Sequence, residues 1–175
     1  RLIRRARGRG ILGRTWSAPR PLRYEEGPDF DPAEPAKAAF LDRNEGYPGS
    51  NFARLADGTL VLALAHANAP GDPGNNRRPW RMGSVLFRGR WNPAANDYEW
   101  SPGGRVEISS ERSARGLMEP AVAALRGGRV LVVWRGSDEG WDGTKATEPG
   151  RKWYAVSTDD GRTLGPVQEW RYADG

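Results

Sequence analysis

The chain has 175 residues, 37% of them apolar and 10% aromatic, which is enough to build a core and too much for a disordered tail. It has no cysteine, so a disulfide framework and a cysteine-based zinc site are excluded, and no apolar run reaches the roughly 18 to 20 residues a membrane-spanning helix needs. The net charge of +5 and pI near 10.0 come almost wholly from arginine, since Lys37, Lys145 and Lys152 are the only lysines; no reader motif accompanies the charge, and no nucleic-acid partner is expected.

In chain order, Arg1, Arg4, Arg5, Arg7, Arg9 and Arg14 crowd a first segment with little apolar periodicity, which reads as solvated. Ser17 to Leu22 follows as an extended piece whose prolines suit only an edge strand. Residues 1–23 are thus the trailing strand of a preceding unit, and 24–49 a long loop with one helical turn near Ala36 to Leu41.

The sequence then becomes regular. Asn51 to Leu55 reads as a strand, Ala56-Asp57-Gly58 as a tight turn, and Thr59 to His66 as the returning strand. The design returns at Ala121 to Leu125, Arg126-Gly127-Gly128 and Arg129 to Arg135. Each hairpin is followed by a polar loop, by a third strand (Met82 to Phe87, then Lys152 to Ser157) and by a fourth (Glu99 to Ser109, then Val167 to Tyr172).

Four short antiparallel strands repeated in tandem is the composition of β-propeller blades. The expected fold is therefore all-β, with one blade over 50–114 and a second over 115–175. Two such sheets cannot cover their own outer faces, so the remaining blades of the same propeller are expected as partners. A β-sandwich is the alternative architecture, because hairpins with glycine turns suit it as well.

The most specific feature is Ser157-Thr158-Asp159-Asp160-Gly161-Arg162-Thr163-Leu164. Short Ser, Asp and Thr side chains at this spacing satisfy the backbone donors of a tight turn, and Gly161 supplies a positive φ. The segment resembles the Asp-box of sialidases and other BNR-repeat proteins, Ser-x-Asp-x-Gly-x-Thr-Trp, with Leu164 in place of the final Trp. A degenerate copy ends in Gly13-Arg14-Thr15-Trp16, where Arg9 and Ile11 stand in the Ser and Asp positions. In that family the motif is structural and lies on the blade rim, and the propeller has about six blades, of which this chain supplies two.

The resemblance covers roughly Ser50 to Gly175 and implies where chemistry lies. Glu119, before an inner strand, and Arg135, ending the next one, are similar in order and setting to a glutamate and an arginine that face the axis in sialidases. The resemblance implies that Arg135 holds the carboxylate of a sialic acid or another acidic sugar through paired charge-assisted hydrogen bonds. It implies that Glu119 activates a tyrosine nucleophile, which no tyrosine of this chain can be assigned to be. Arg43, Tyr47 and Asn51, at the corresponding start of the earlier blade, are candidates to line the same axis.

Other polar residues carry less. His66, beside Asn68, is a lone histidine at a strand end, and a single histidine by itself specifies no chemistry. Asp138, Glu139, Trp141 and Asp142 lie in a loop after Arg135, where an aromatic ring suits a sugar and a solvated loop is equally compatible. The expected activity is that of an exo-α-sialidase-like glycosidase without cofactor or metal, extracellular or periplasmic by resemblance. The alternative is a noncatalytic Asp-box propeller that binds glycans or proteins.

Overall fold

A computed structural model describes residues 2–3, 6–7, 15–16, 20–21, 34, 46–66, 81–140, 143 and 145–171. The expected helical turn at Ala36 to Leu41 and the residues Arg43, Asn68, Trp141 and Asp142 lie outside them. Regular structure among the described residues is all β. Four two-residue strands come first: β1 (Leu2–Ile3) pairs with β4 (Arg20–Pro21), and β2 (Ala6–Arg7) with β3 (Thr15–Trp16), both antiparallel.

The rest forms two four-stranded antiparallel sheets, each a meander in chain order. The first comprises β5 (Gly46–Arg54), β6 (Leu60–His66), β7 (Gly83–Asn92) and β8 (Asp97–Val106). The second comprises β9 (Met118–Ala124), β10 (Val130–Arg135), β11 (Lys152–Ser157) and β12 (Gln168–Glu169). β5 begins at Gly46, ahead of the boundary expected at Ser50, and the last strand is shorter than Val167 to Tyr172. These are sheets of the kind that propeller blades contain, and among the described residues they close no barrel or ring.

Both first hairpins turn alike. Leu55 N donates to Thr59 O at 2.8 Å and Leu125 N to Arg129 O at 2.8 Å. Gly58 takes φ 86° in one turn, and Gly127 and Gly128 take 70° and 71° in the other, a region that a Cβ disfavours.

The sheets also match in register. Ala53 opposite Val61 opposite Arg88 corresponds to Ala123 opposite Leu131 opposite Val156. The face of the first sheet that carries Ala53, Val61, Ala63 and Leu86 packs against the face of the second that carries Val122, Val130, Val132, Trp134, Trp153 and Ala155. Trp134 and Trp153 are cross-strand partners, each 1% exposed. Burying an indole contributes on the order of 4 kcal/mol from apolar area alone.

Because the packing is head to tail, the second sheet's residues equivalent to Ala53, Val61 and Ala63 face away from the core. Ala123 is exposed, and Leu131, Val133, Tyr154 and Val156 are only half-buried. The strict alternation of burial along β10 and β11 reflects this single covered face. In the first sheet both faces are covered: Leu64, Val85 and Phe87, on the side away from the second sheet, are 2%, 1% and 0% exposed.

Polar groups lock the two sheets together. The Asn51 side-chain amide donates to Val122 O at 2.7 Å, and its oxygen accepts from Val122 N at 3.0 Å. Gly104 N donates to Gly161 O at 3.1 Å, and a Cβ on Gly103 would stand 2.2 Å from that same oxygen, so only glycine allows this approach.

Candidate functional site

The turn from Ser157 to Leu164 closes through its own side chains. Ser157 Oγ donates to Asp159 Oδ1 at 2.8 Å and accepts from Gly161 N at 2.8 Å. Asp159 also accepts from Thr163 N at 2.9 Å and from the Thr163 hydroxyl at 2.7 Å. Burial works against ionised Asp159, but the Thr163 N–H and hydroxyl and the Ser157 hydroxyl together outweigh it and bring the carboxyl down to about 2. Asp160 and Gly161 take φ 60° and 81°.

This turn is seated on its neighbours. Asp160 N donates to Gly128 O at 3.0 Å, and Arg88 Nε of the first sheet donates to Asp160 O at 2.8 Å. Leu164, in the position where the motif usually has Trp, packs against the shared core. All these contacts support the fold, and none presents a group to a ligand.

The other feature lies at the opposite end of the second sheet, where β9 begins and β10 ends. The preceding loop is pinned. Ser113 Oγ donates to Gly116 O at 2.7 Å and accepts from Ser137 N at 3.0 Å, while Leu117 N donates to Met82 O at 2.8 Å. Gly116, at φ 71°, lets Met82 O approach where a Cβ would stand 2.1 Å from it.

β9 then carries a bulge, since Val133 pairs with Ala121 but Arg135 pairs with Met118. Glu119 occupies it with φ 48°, directly before Pro120. A left-handed backbone on a residue bearing a Cβ costs roughly 1 to 2 kcal/mol. A bulge re-aims a side chain, and here it sets Glu119 Oε1 2.8 Å from Arg135 Nη1.

The two side chains are 66% and 57% exposed, and an exposed ion pair contributes about 0 to 1 kcal/mol. The pair therefore does not offset the backbone strain. Strain that local contacts leave uncompensated is a mark of residues held for function.

The remaining expected residues fall in different places. Tyr47 lies near the start of β5, is 42% exposed and pairs with Ala65 just as Met118 pairs with Arg135. Asn51 has its amide committed to Val122 and joins the sheets. Glu139 forms an ion pair with Lys145 at 2.6 Å and, through its backbone oxygen, accepts from Arg115 Nε at 2.8 Å. Asp138 accepts through its backbone oxygen from Ala146 N at 2.8 Å.

His66 is 1% exposed at the end of β6, and burial, with Arg105 adding to it, lowers its pKa to about 4. It is neutral at physiological pH and inside the protein, as a core histidine is. Among the described residues no group of three or more His, Cys, Asp or Glu is placed to hold a metal, and no helix is long and apolar enough to cross a membrane.

Comparison with family models, with curated proteins and with solved structures returns no match.

Proposed function

We propose that this chain supplies two blades of a sialidase-like propeller glycosidase, and that Glu119 and Arg135 are its contribution to a pocket for sialic acid or another acidic sugar. The observation that carries this reading is the Glu119 backbone, held left-handed in a bulge so that its carboxylate meets Arg135 across the first two strands of the second sheet.

The chemistry is consistent with that role. A guanidinium has five N–H donors in a planar fork, and Glu119 engages one end of Arg135. The donors that remain suit a sugar carboxylate, which two parallel hydrogen bonds both hold and orient. In this reading Glu119 draws on the proton of a tyrosine nucleophile from another blade, and Arg135 fixes the sugar against it.

Arg135→Lys in the full-length gene product tests the binding role, because lysine keeps the charge and loses the fork. The expected result is a KM for a fluorogenic α-sialoside raised about tenfold or more with a smaller change in kcat. An unchanged KM overturns the role given to Arg135. Sialoside binding without any turnover in the natural protein would instead support the noncatalytic glycan-binding propeller.

A further inference from the structure

β7 and β8 run past the end of the first sheet. Leu60 opposite Gly89 is the last pairing that β6 makes, and beyond it Arg90 pairs with Glu99, Trp91 with Tyr98 and Asn92 with Asp97. The result is a protruding two-stranded ribbon. Its turn is fixed by Asn92, whose Oδ1 accepts from Ala94 N at 2.9 Å and Ala95 N at 3.2 Å.

One face of this ribbon is aromatic. Trp91 and Tyr98 meet edge to face at 5.2 Å, and Tyr98 and Trp100 follow at 6.2 Å with their planes tilted by 43°. Trp100 lies flat over Gly89, its ring carbons 3.0 Å from where a Cβ would be, so glycine lets the ring settle onto the sheet. Arg54 stands at the edge of the row, with Nη2 3.4 Å from the Tyr98 hydroxyl. Trp91 remains 46% exposed.

A row of aromatic rings on a ribbon, with hydroxyl and guanidinium donors at its edge, matches a ligand that alternates apolar faces and hydroxyl groups. Aromatic rows also stack nucleic-acid bases, but that use requires a positive groove along the phosphates. Here Arg54 reaches the aromatic face at Tyr98, while Arg90, Asp97 and Glu99 alternate onto the opposite face of the ribbon. A single guanidinium beside the rings is not a positive groove, and it suits a ligand that offers hydroxyl groups.

We propose that Trp91, Tyr98 and Trp100, with Arg54 at their edge, form a binding platform for a neutral glycan chain, separate from the Glu119–Arg135 pair and independent of its catalytic reading. Pyranose rings stack by their C–H faces on Trp91 and Trp100, and their hydroxyl groups reach Tyr98 and Arg54.

Isothermal titration of the full-length gene product with neutral hexasaccharides (β-1,4-glucan, β-1,4-xylan, β-1,4-mannan and N-acetylchitohexaose) tests this. At least one is expected to bind, with affinity lowered about tenfold or more in both Trp91→Ala and Trp91→Leu, while the unfolding midpoint of each variant stays near that of the natural protein. The leucine variant keeps apolar bulk at the ribbon, so its loss reports the ring and not the fold. Failure of all four sugars to bind at millimolar concentration overturns the proposal, as does binding by either variant as tight as that of the natural protein. Tighter binding of oligouridine, or a Trp91 variant that changes the association state and not sugar binding, assigns the face to another partner and overturns it as well.

Discussion

The side chain of Asn51 acts as a strand partner for the backbone of Val122: its amide group donates to the carbonyl at 2.7 Å and its oxygen accepts from the N–H at 3.0 Å. One residue of the first sheet thereby satisfies both backbone groups of a buried residue in the second. Asn51→Ala leaves both unpaired, and a loss of about 2 kcal/mol is expected. Urea unfolding should show a lower midpoint with an unchanged slope. Asn51→Asp retains the acceptor and loses the donor, so it should fall between the two; a midpoint equal to the natural protein's would contradict the joining role.

The Ser157 to Leu164 turn gives stability a dependence on pH. The folded pKa of Asp159, about 2, lies below the ordinary 3.8, so its contribution is full above pH 3.8 and lost as pH falls through 2. Asp159→Asn removes the charge from hydrogen bonds to Thr163 and Ser157 and should cost about 1 to 2 kcal/mol at neutral pH. Its stability profile should also be flatter between pH 3.8 and 2 than that of the natural protein.

His66 acts in a separate window. Its folded pKa of about 4 is below the ordinary 6.5, so the stability linked to its neutral form is present above pH 6.5 and lost as pH falls through 4. A displacement of this size corresponds to something on the order of 3 kcal/mol. Measured between pH 7 and 4, His66→Gln should remove most of that slope; a slope unaffected by the substitution would show that other groups set it.

Much of the architecture was legible because it is local. The turns at Ala56-Asp57-Gly58 and Arg126-Gly127-Gly128 announce themselves through glycine, and the Ser157 to Leu164 segment encodes its own closure through side-chain hydrogen bonds between residues two and four apart. β9 and β5 were harder to bound, since a bulge interrupts the alternation in each. The use of Asn51 depends on how two sheets meet across 71 residues of sequence, and no local pattern carries that. The left-handed backbone of Glu119 was hidden for a related reason: glutamate has no preference for that region, and the surrounding loop imposes it. Tyr98 and Trp100 alternate in sequence as strand residues do, but only the pairing of the ribbon beyond β6 brings Trp91 beside them and leaves it exposed.

Backbone strain at Glu119 makes stability and activity separable. Glu119→Gly relieves the positive φ and gives up an exposed ion pair, for an expected net gain of about 1 kcal/mol. Glu119→Gln keeps the strain and should change stability by less than about 0.5 kcal/mol. Thermal unfolding of the two variants side by side checks the order, and a destabilised glycine variant would mean that the carboxylate holds the bulge in place.

The most direct measurement is turnover of a fluorogenic α-sialoside by the full-length gene product and by its Glu119→Gln variant. The account predicts hydrolysis by the natural protein and a loss of about a hundredfold or more in kcat in the variant, with the unfolding transition preserved. Undiminished turnover in Glu119→Gln would contradict the role given to the strained carboxylate.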